Sequence, residues 1–174
     1  MKALIICGSA NLSGTSSAAA EYAADSLNGI GIGTELLFPS LMRIGHCSGC
    51  GKCRNGDCPL KDDMKIILEK ASESDILLFA FPVHFSGPSS LVKTVIDRFQ
   101  PCWYTKKIHA KTAALICGGS PEPRFACSVT VLRALCITAG MEWKGCLEIP
   151  GTDKKDASGL RSAVEGFIAA TFGT

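Results

Sequence analysis

The sequence predicts an α/β protein built as a doubly wound, five-stranded parallel sheet with helices on both faces. Three observations predict it. Five short apolar runs alternate with five helix-forming segments along 174 residues, the pattern that right-handed crossovers turn into a parallel sheet. Polar, glycine-containing loops follow the first, third and fourth runs. The chain has neither an internal repeat nor a low-complexity linker, so a single domain over 1–174 is expected, large enough to bury a real core.

The elements follow in order. KALIIC (2–7) is a buried strand that breaks at Gly8. SSAAAEYAADSLN (16–28) is alanine-rich and closed by Gly29, which reads as a helix. TELLF (34–38) is the second strand. DDMKIILEKASES (62–74) is a helix with Asp62 and Asp63 at its positive end. DILLFAF (75–81) is the most apolar run and is assigned to the central strand. PSSLVKTVIDRF (88–99) reads as a helix with Pro88 in its first turn. AALIC (113–117), FACSVTVLRALCITAG (125–140), WKGCLEI (143–149) and SGLRSAVEGFIAATF complete the alternation.

Composition narrows the function classes. Lys and Arg number 18 against 16 Asp and Glu, a net +2 without a basic tract, which predicts no nucleic-acid partner. The longest apolar stretch, 76–83, is too short to span a bilayer, and no membrane partner is expected. The N-terminal apolar run is too short for a signal-peptide core, so the protein reads as cytoplasmic. In that compartment ten cysteines point to metal or redox chemistry wherever they cluster, rather than to a disulfide framework.

In parallel sheets the ligand lies beyond the carboxyl ends of the strands, near the switch in strand order. The loops 8–16, 82–87 and 118–123 fall there. GSANLSGTSS (8–17) offers hydroxyls at Ser9, Ser13, Thr15 and Ser16, a flexible Gly14 and the N–H groups of a helix start. These suit a terminal phosphate. The loop is neither Gly-x-Gly-x-x-Gly nor a Walker loop, which counts against a dinucleotide fold and an NTPase.

HCSGCGKCRNGDCP (46–59) carries Cys47, Cys50, Cys53 and Cys58. The spacing Cys-x2-Cys-x2-Cys-x4-Cys lets a tight loop wrap three corners of a 4Fe–4S cluster while a fourth ligand comes from slightly further on. Structural zinc also takes four cysteines, though usually as two separated pairs. A loop of free thiols is the third reading. Cys7, Cys102, Cys117, Cys127, Cys136 and Cys146 fall in predicted elements or beside apolar residues, as small buried hydrophobes do.

Taken together, GSANLSGTSS, FPVHFSGPSSLVKTVIDR (81–98), CSGCGKCRNGDCPLKDDM (47–64) and Gly118-Gly119 resemble the flavodoxin-like NADPH-dependent FMN reductase family, particularly its iron–sulfur flavoprotein branch. The resemblance runs over most of the chain. It implies FMN with its phosphate on Ser9, Asn11, Ser13, Thr15 and Ser16. Pro82, Val83, His84, Phe85, Ser86 and Gly87 would lie along the isoalloxazine, with Phe85 against the ring, and Gly118, Gly119 and Ser120 would close the other side. It also implies NAD(P)H or a protein as donor, a quinone, small molecule or protein as acceptor, and a homodimer or higher homo-oligomer. No general acid or base is required, because the flavin carries the chemistry. Two positions depart from the family pattern: Asn11 stands where arginine is frequent, and His84 where tyrosine is common. Trp103 and Tyr104, after the 88–99 helix, are candidates for a flavin lid, a subunit contact or plain surface.

Overall fold

A computed structural model describes residues 1–153 and 159–173 of the chain. The strands β1 (Lys2–Cys7), β2 (Gly33–Leu37), β3 (Ile76–His84), β5 (Lys111–Cys117) and β6 (Glu142–Ile149) form a parallel sheet in the order β2-β1-β3-β5-β6. This is the flavodoxin-like strand order, with its switch point between β1 and β3. A two-residue strand, β4 (Gly87–Pro88), folds back antiparallel on the end of β3.

Alternation along each strand divides the core into two layers. Leu4 and Ile6 of β1 and Leu77, Phe79 and Phe81 of β3 face one side. They pack there against α2 (Met64–Ser72), α3 (Ser90–Asp97), α4 (Gln100–Thr105) and α5 (Ala126–Ala139). Ile5, Cys7, Leu78 and Ala80 face the other side, against α1 (Thr15–Gly29) and α6 (Leu160–Phe172). The expected first residue of that last helix, Ser158, lies outside the described residues. Among the described residues, no helix is long and apolar enough to cross a membrane.

Several boundaries differ from expectation, each for a local reason. The central strand does not stop at Phe81 but runs through Pro82 to His84. Gly8 N–H donates to Ala80 O (2.8 Å) where β1 ends, so the imino nitrogen of Pro82 lies beyond β1 and no ladder bond is lost. Pro88 is not in a helical turn. It pairs with Val83 in β4, and α3 starts at Ser90 with Ser89 as its cap. The 62–74 helix begins at Met64, because Asp62 and Asp63 turn to other partners. The segment after α3 folds into α4, which carries Trp103 and Tyr104.

α3 joins two distant features. At its N-terminus Ser89 Oγ donates to Gly8 O (2.6 Å), pinning the loop after β1. Gly8 has to be small here, since a Cβ would stand 2.5 Å from that of Val92. Just past its C-terminus Arg98, with a side chain 1 % exposed, forks onto Asp62: Nη1 to Oδ2 at 2.7 Å and Nη2 to Oδ1 at 2.9 Å. Arg98 Nη1 also donates to Gly45 O (2.6 Å), while Asp62 accepts the Gly45 N–H (2.9 Å) and the Met64 N–H (3.2 Å). Beside it Asp63 accepts the Arg43 N–H (2.7 Å). Both ends of the 43–64 loop are thereby fastened to one buried guanidinium.

Two predictions follow from these contacts. Gly8→Ala overpacks the β1–α3 junction and lowers stability by about 1–3 kcal/mol in urea unfolding. The Arg98 hydrogen bonds, with the Gly45 and Met64 amides, hold the Asp62 carboxyl below its ordinary 3.8. A depressed folded-state value stabilises the fold above the unfolded-state value, and that contribution is lost as pH falls through the folded one. Asp62→Asn therefore destabilises at pH 7 by about 3 kcal/mol, the low end for breaking a buried pair because Asp62 keeps some solvent contact. The gap in thermal midpoint between variant and wild type should close below about pH 4.

Candidate functional site

The expected flavin loops meet at the carboxyl edge of the sheet, after β1, β3 and β5. In the first, the Asn11 carbonyl accepts from Ser9 Oγ (3.1 Å), Gly14 N–H (3.1 Å) and Ser17 Oγ (2.8 Å). The Asn11 N–H returns a bond to Ser9 Oγ (3.2 Å), and Asn11 Oδ1 accepts from the Ser13 N–H (3.1 Å) and hydroxyl (3.0 Å). The residue standing in place of arginine is therefore an organiser of the loop. Ser9 and Ser16 are buried, Asn11 and Ser13 exposed, and Thr15 lies between. Ser17, not among the expected residues, closes the turn; nothing in the Ser-Ser pair of the sequence distinguishes which one does so.

An anion suits this place. α1 starts at Thr15 with Gly14 as N-cap, no side-chain cap and no acidic residue in the first turn. Its first N–H groups lack intrahelical acceptors, and the helix dipole is positive there. These are the features that a terminal phosphate requires.

The second loop is a β-hairpin. His84 pairs with Gly87, and the turn residues Phe85 (φ 49°) and Ser86 (φ 64°) both lie in the left-handed region. Two-residue turns of this handedness favour Asn-Gly, so a Phe-Ser turn stores about 1–3 kcal/mol per residue. Phe85 is fully exposed at the tip. Pro82, Val83, His84 and Gly87 are ladder residues of β3 and β4, which makes this wall stiffer than a loop.

The third loop packs closely at its glycines. A Cβ on Gly118 would collide with Pro123, and one on Gly119 with the Asp153 carboxylate. Thr152 N–H donates to Gly118 O (3.0 Å), Asp153 N–H to Gly119 O (3.1 Å) and Gly151 N–H to Ser120 O (2.8 Å). Thr15 Oγ1 reaches Thr152 O at 3.5 Å. The segment 150–153 after β6 is thus a fourth wall, joining the phosphate loop to Gly118–Ser120. Its Pro-Gly dipeptide was the available signal in the sequence.

The cysteine loop leaves β2 through 3-10 turns at Pro39–Leu41 and Lys52–Asn55 and packs on α4. Cys47, Cys50, Cys53 and Cys58 all line one cavity of about 250 Å³, with Pro59, Leu60, Arg98 and Tyr104. The sulfurs have N–H donors nearby. Gly49 N–H lies 3.4 Å from Cys47 Sγ, and the Lys52 N–H draws the Cys50 thiol below its ordinary value. Cys53 is pushed up, first by burial and then by the Cys58, Cys47 and Cys50 sulfurs around it. Among the described residues, no three His, Cys, Asp or Glu side chains close on one point as the ligands of a metal ion do. The donor set and the cavity fit a four-cysteine centre, with the thiols standing around the space rather than drawn together.

None of the residues lining this cavity belongs to the flavin loops. Nine residue steps along α3, about 13 Å at helical rise, separate Ser89 from Arg98. Of the remaining cysteines, Cys7, Cys102, Cys117 and Cys136 are buried as expected. Cys146 is half-buried and Cys127 is exposed, because it faces outward from the first turn of α5. Trp103 and Tyr104 stack on each other (5.6 Å between centroids), half-exposed on α4 beside the cysteine loop and not over the flavin loops.

Comparison with known proteins bears on the family and the fold. The family described as NADPH-dependent FMN reductase matches residues 1–141. An iron-sulfur flavoprotein of Archaeoglobus fulgidus is 32 % identical over 173 residues, covering 94 % of this chain and 79 % of its own. One of Methanocaldococcus jannaschii is 30 % identical over 121 residues, covering 69 % of this chain and 63 % of its own. Among solved structures, a flavone reductase superposes with TM-score 0.74 at 17 % identity, over 98 % of this chain and 63 % of that one. The NAD(P)H:quinone oxidoreductase of Methanothermobacter marburgensis does so with TM-score 0.73 at 15 % identity, over 96 % and 92 %. At those identities the superpositions speak for the fold. The family match over most of the chain and the first relative speak for more: the chain belongs to the NADPH-dependent FMN reductase family and is an FMN-dependent oxidoreductase.

Proposed function

We propose that the protein passes electrons from NAD(P)H or a protein donor, by way of FMN, to a quinone, another small acceptor or a protein partner, with a 4Fe–4S cluster on Cys47, Cys50, Cys53 and Cys58. The observation that carries the cluster is that all four cysteines line one cavity. The relatives named iron-sulfur flavoproteins add support. When bound, FMN supplies hydride acceptance and single-electron transfer, and the cluster single-electron transfer.

The chain's part is to hold and separate these groups. Ser9, Asn11, Ser13, Thr15 and Ser16, with the α1 N-terminus, receive the phosphate. Pro82, Val83, His84, Phe85, Ser86 and Gly87 form one wall beside the ring, and Gly118, Gly119 and Ser120 the other. The strained, exposed Phe85 is the side chain of that hairpin set to cover an aromatic face. A second reading is a metal-free NAD(P)H-dependent reductase with free thiols in the loop, and the spread of the four sulfurs favours it. The family-level homo-oligomer and a cytoplasmic location complete the proposal.

Acid extraction should release FMN and no FAD, since the 9–16 loop suits a terminal phosphate. Ser9→Ala should weaken FMN binding about tenfold or more, the worth of one hydrogen bond to a charged group. An unchanged Kd would place the phosphate elsewhere. Protein prepared without oxygen should hold about four iron atoms per chain. Cys50→Ala should abolish the iron and leave FMN in place, because Cys50 lies outside every flavin loop. Stoichiometric zinc, or iron-free protein with full turnover, would favour the other uses of the loop.

A further inference from the structure

Arg98 is the only fully buried charged side chain among the described residues. A buried ion pair is poorly explained by stability alone, because an apolar pair of the same volume often does as well. Its surroundings suggest another reason. Arg98 and Cys58 together line the cysteine cavity and also a second cavity, of about 520 Å³, behind the loop. The guanidinium charge reaches the Cys58 sulfur, and its Nε–H has no hydrogen-bond partner among the described residues. Asp62, the counterion, is occupied by the Gly45 and Met64 amides as well. Asp97, the one acid lining the cysteine cavity among the described residues, is paired with Lys93 at 2.7 Å. Lys52, within the loop, acts on Cys50 from the solvent side, and the buried Arg98 is the cation beside Cys58.

We propose that Arg98 is a positioning and tuning residue of the cysteine centre. Its guanidinium holds the 43–62 loop closed and raises the reduction potential of the redox group on Cys47, Cys50, Cys53 and Cys58, while Asp62 opposes it. This rests on the cluster reading above. In such a centre, held by four thiolates, reduction would take one electron from reduced FMN and add one negative charge there. A buried cation beside Cys58 stabilises that added charge, most where the half-buried Cys58 and Cys53 limit screening and least at the exposed Cys47 and Cys50.

The test compares full-length protein, prepared without oxygen, with the variants R98Q, R98K and D62N. Iron content and the midpoint potentials of FMN and cluster are read separately. R98Q should make the cluster about tenfold harder to reduce, about 59 mV for a one-electron couple. D62N should shift it in the opposite sense. R98K, which keeps the charge, should stay close to wild type, and FMN should not move in any of them. Opposite shifts from the two halves of one ion pair are an electrostatic signature that a merely structural role does not produce.

In iron-free protein, R98Q should speed hydrogen exchange at Gly45 and Met64, which tests the positioning role without the cluster. If R98Q fails to fold, R98K and D62N still carry the comparison. Shifts of the same sign, an unmoved cluster potential, or loss of iron in every variant would reduce the pair to a fastener and overturn the tuning role. Iron-free wild type would sink the cluster reading itself, an outcome distinct from iron-bearing protein whose potentials do not move.

Discussion

The bidentate contact between Arg98 and Asp62 is the constraint on which the functional half of the molecule depends. A loop of some twenty residues with several glycines has no reason to hold four thiols around one space by local preference alone. Its ends, at Gly45 and at Asp62–Met64, are instead tied to a guanidinium that the α2–α5 layer keeps away from water. The pair's net contribution to stability is modest once desolvation is counted, but its directionality fixes where the loop lies. Because Ser89, at the other end of the same helix, holds the Gly8 carbonyl, α3 is a short rigid strut between the phosphate loop and the cysteine cavity. The spacing of the loop after β1 and the cysteine cavity is thus a property of the fold.

The flavin side depends on close approach. Gly8, Gly118 and Gly119 each stand where a Cβ would strike a neighbour, so the turns after β1 and β5 pack tightly against α3, Pro123 and the 150–153 segment. Asn11 supplies with its carbonyl and amide oxygen the internal bonding that shapes the loop after β1. The hairpin at Phe85–Ser86 works differently: it holds two non-glycine residues at positive φ on an exposed tip. Strain kept at such a position marks a segment shaped by function.

Most of the sheet was legible because its strands are continuous apolar runs separated by clear turn signals, and β1, β5 and the helix 126–139 fall within a few residues of expectation. That the loops after β1, β3 and β5 share one edge was legible for the same reason, since strand order places them there. What escaped was whatever depends on partners remote in sequence. Asp62 reads as a helix-terminal acid until Arg98, 36 residues away, is folded against it. Pro88 reads as a helix starter, yet pairing with Val83 claims it for a strand. The stiffness of 82–88, the short α4 and the wall at 150–153 are tertiary outcomes without a local periodicity to announce them. Cys127 looked like core because its neighbours are apolar, but its position on the first turn of α5 turns it outward.

The central claim is that one chain holds two redox groups at a separation set by α3. An anaerobic reductive titration of the purified protein, followed by absorption at flavin and iron–sulfur wavelengths, tests it most directly. The account predicts uptake of about three electrons per chain, two on FMN and one on the cluster, with both sets of bands bleaching. Uptake of about two electrons, with only the flavin bands bleaching, would contradict it.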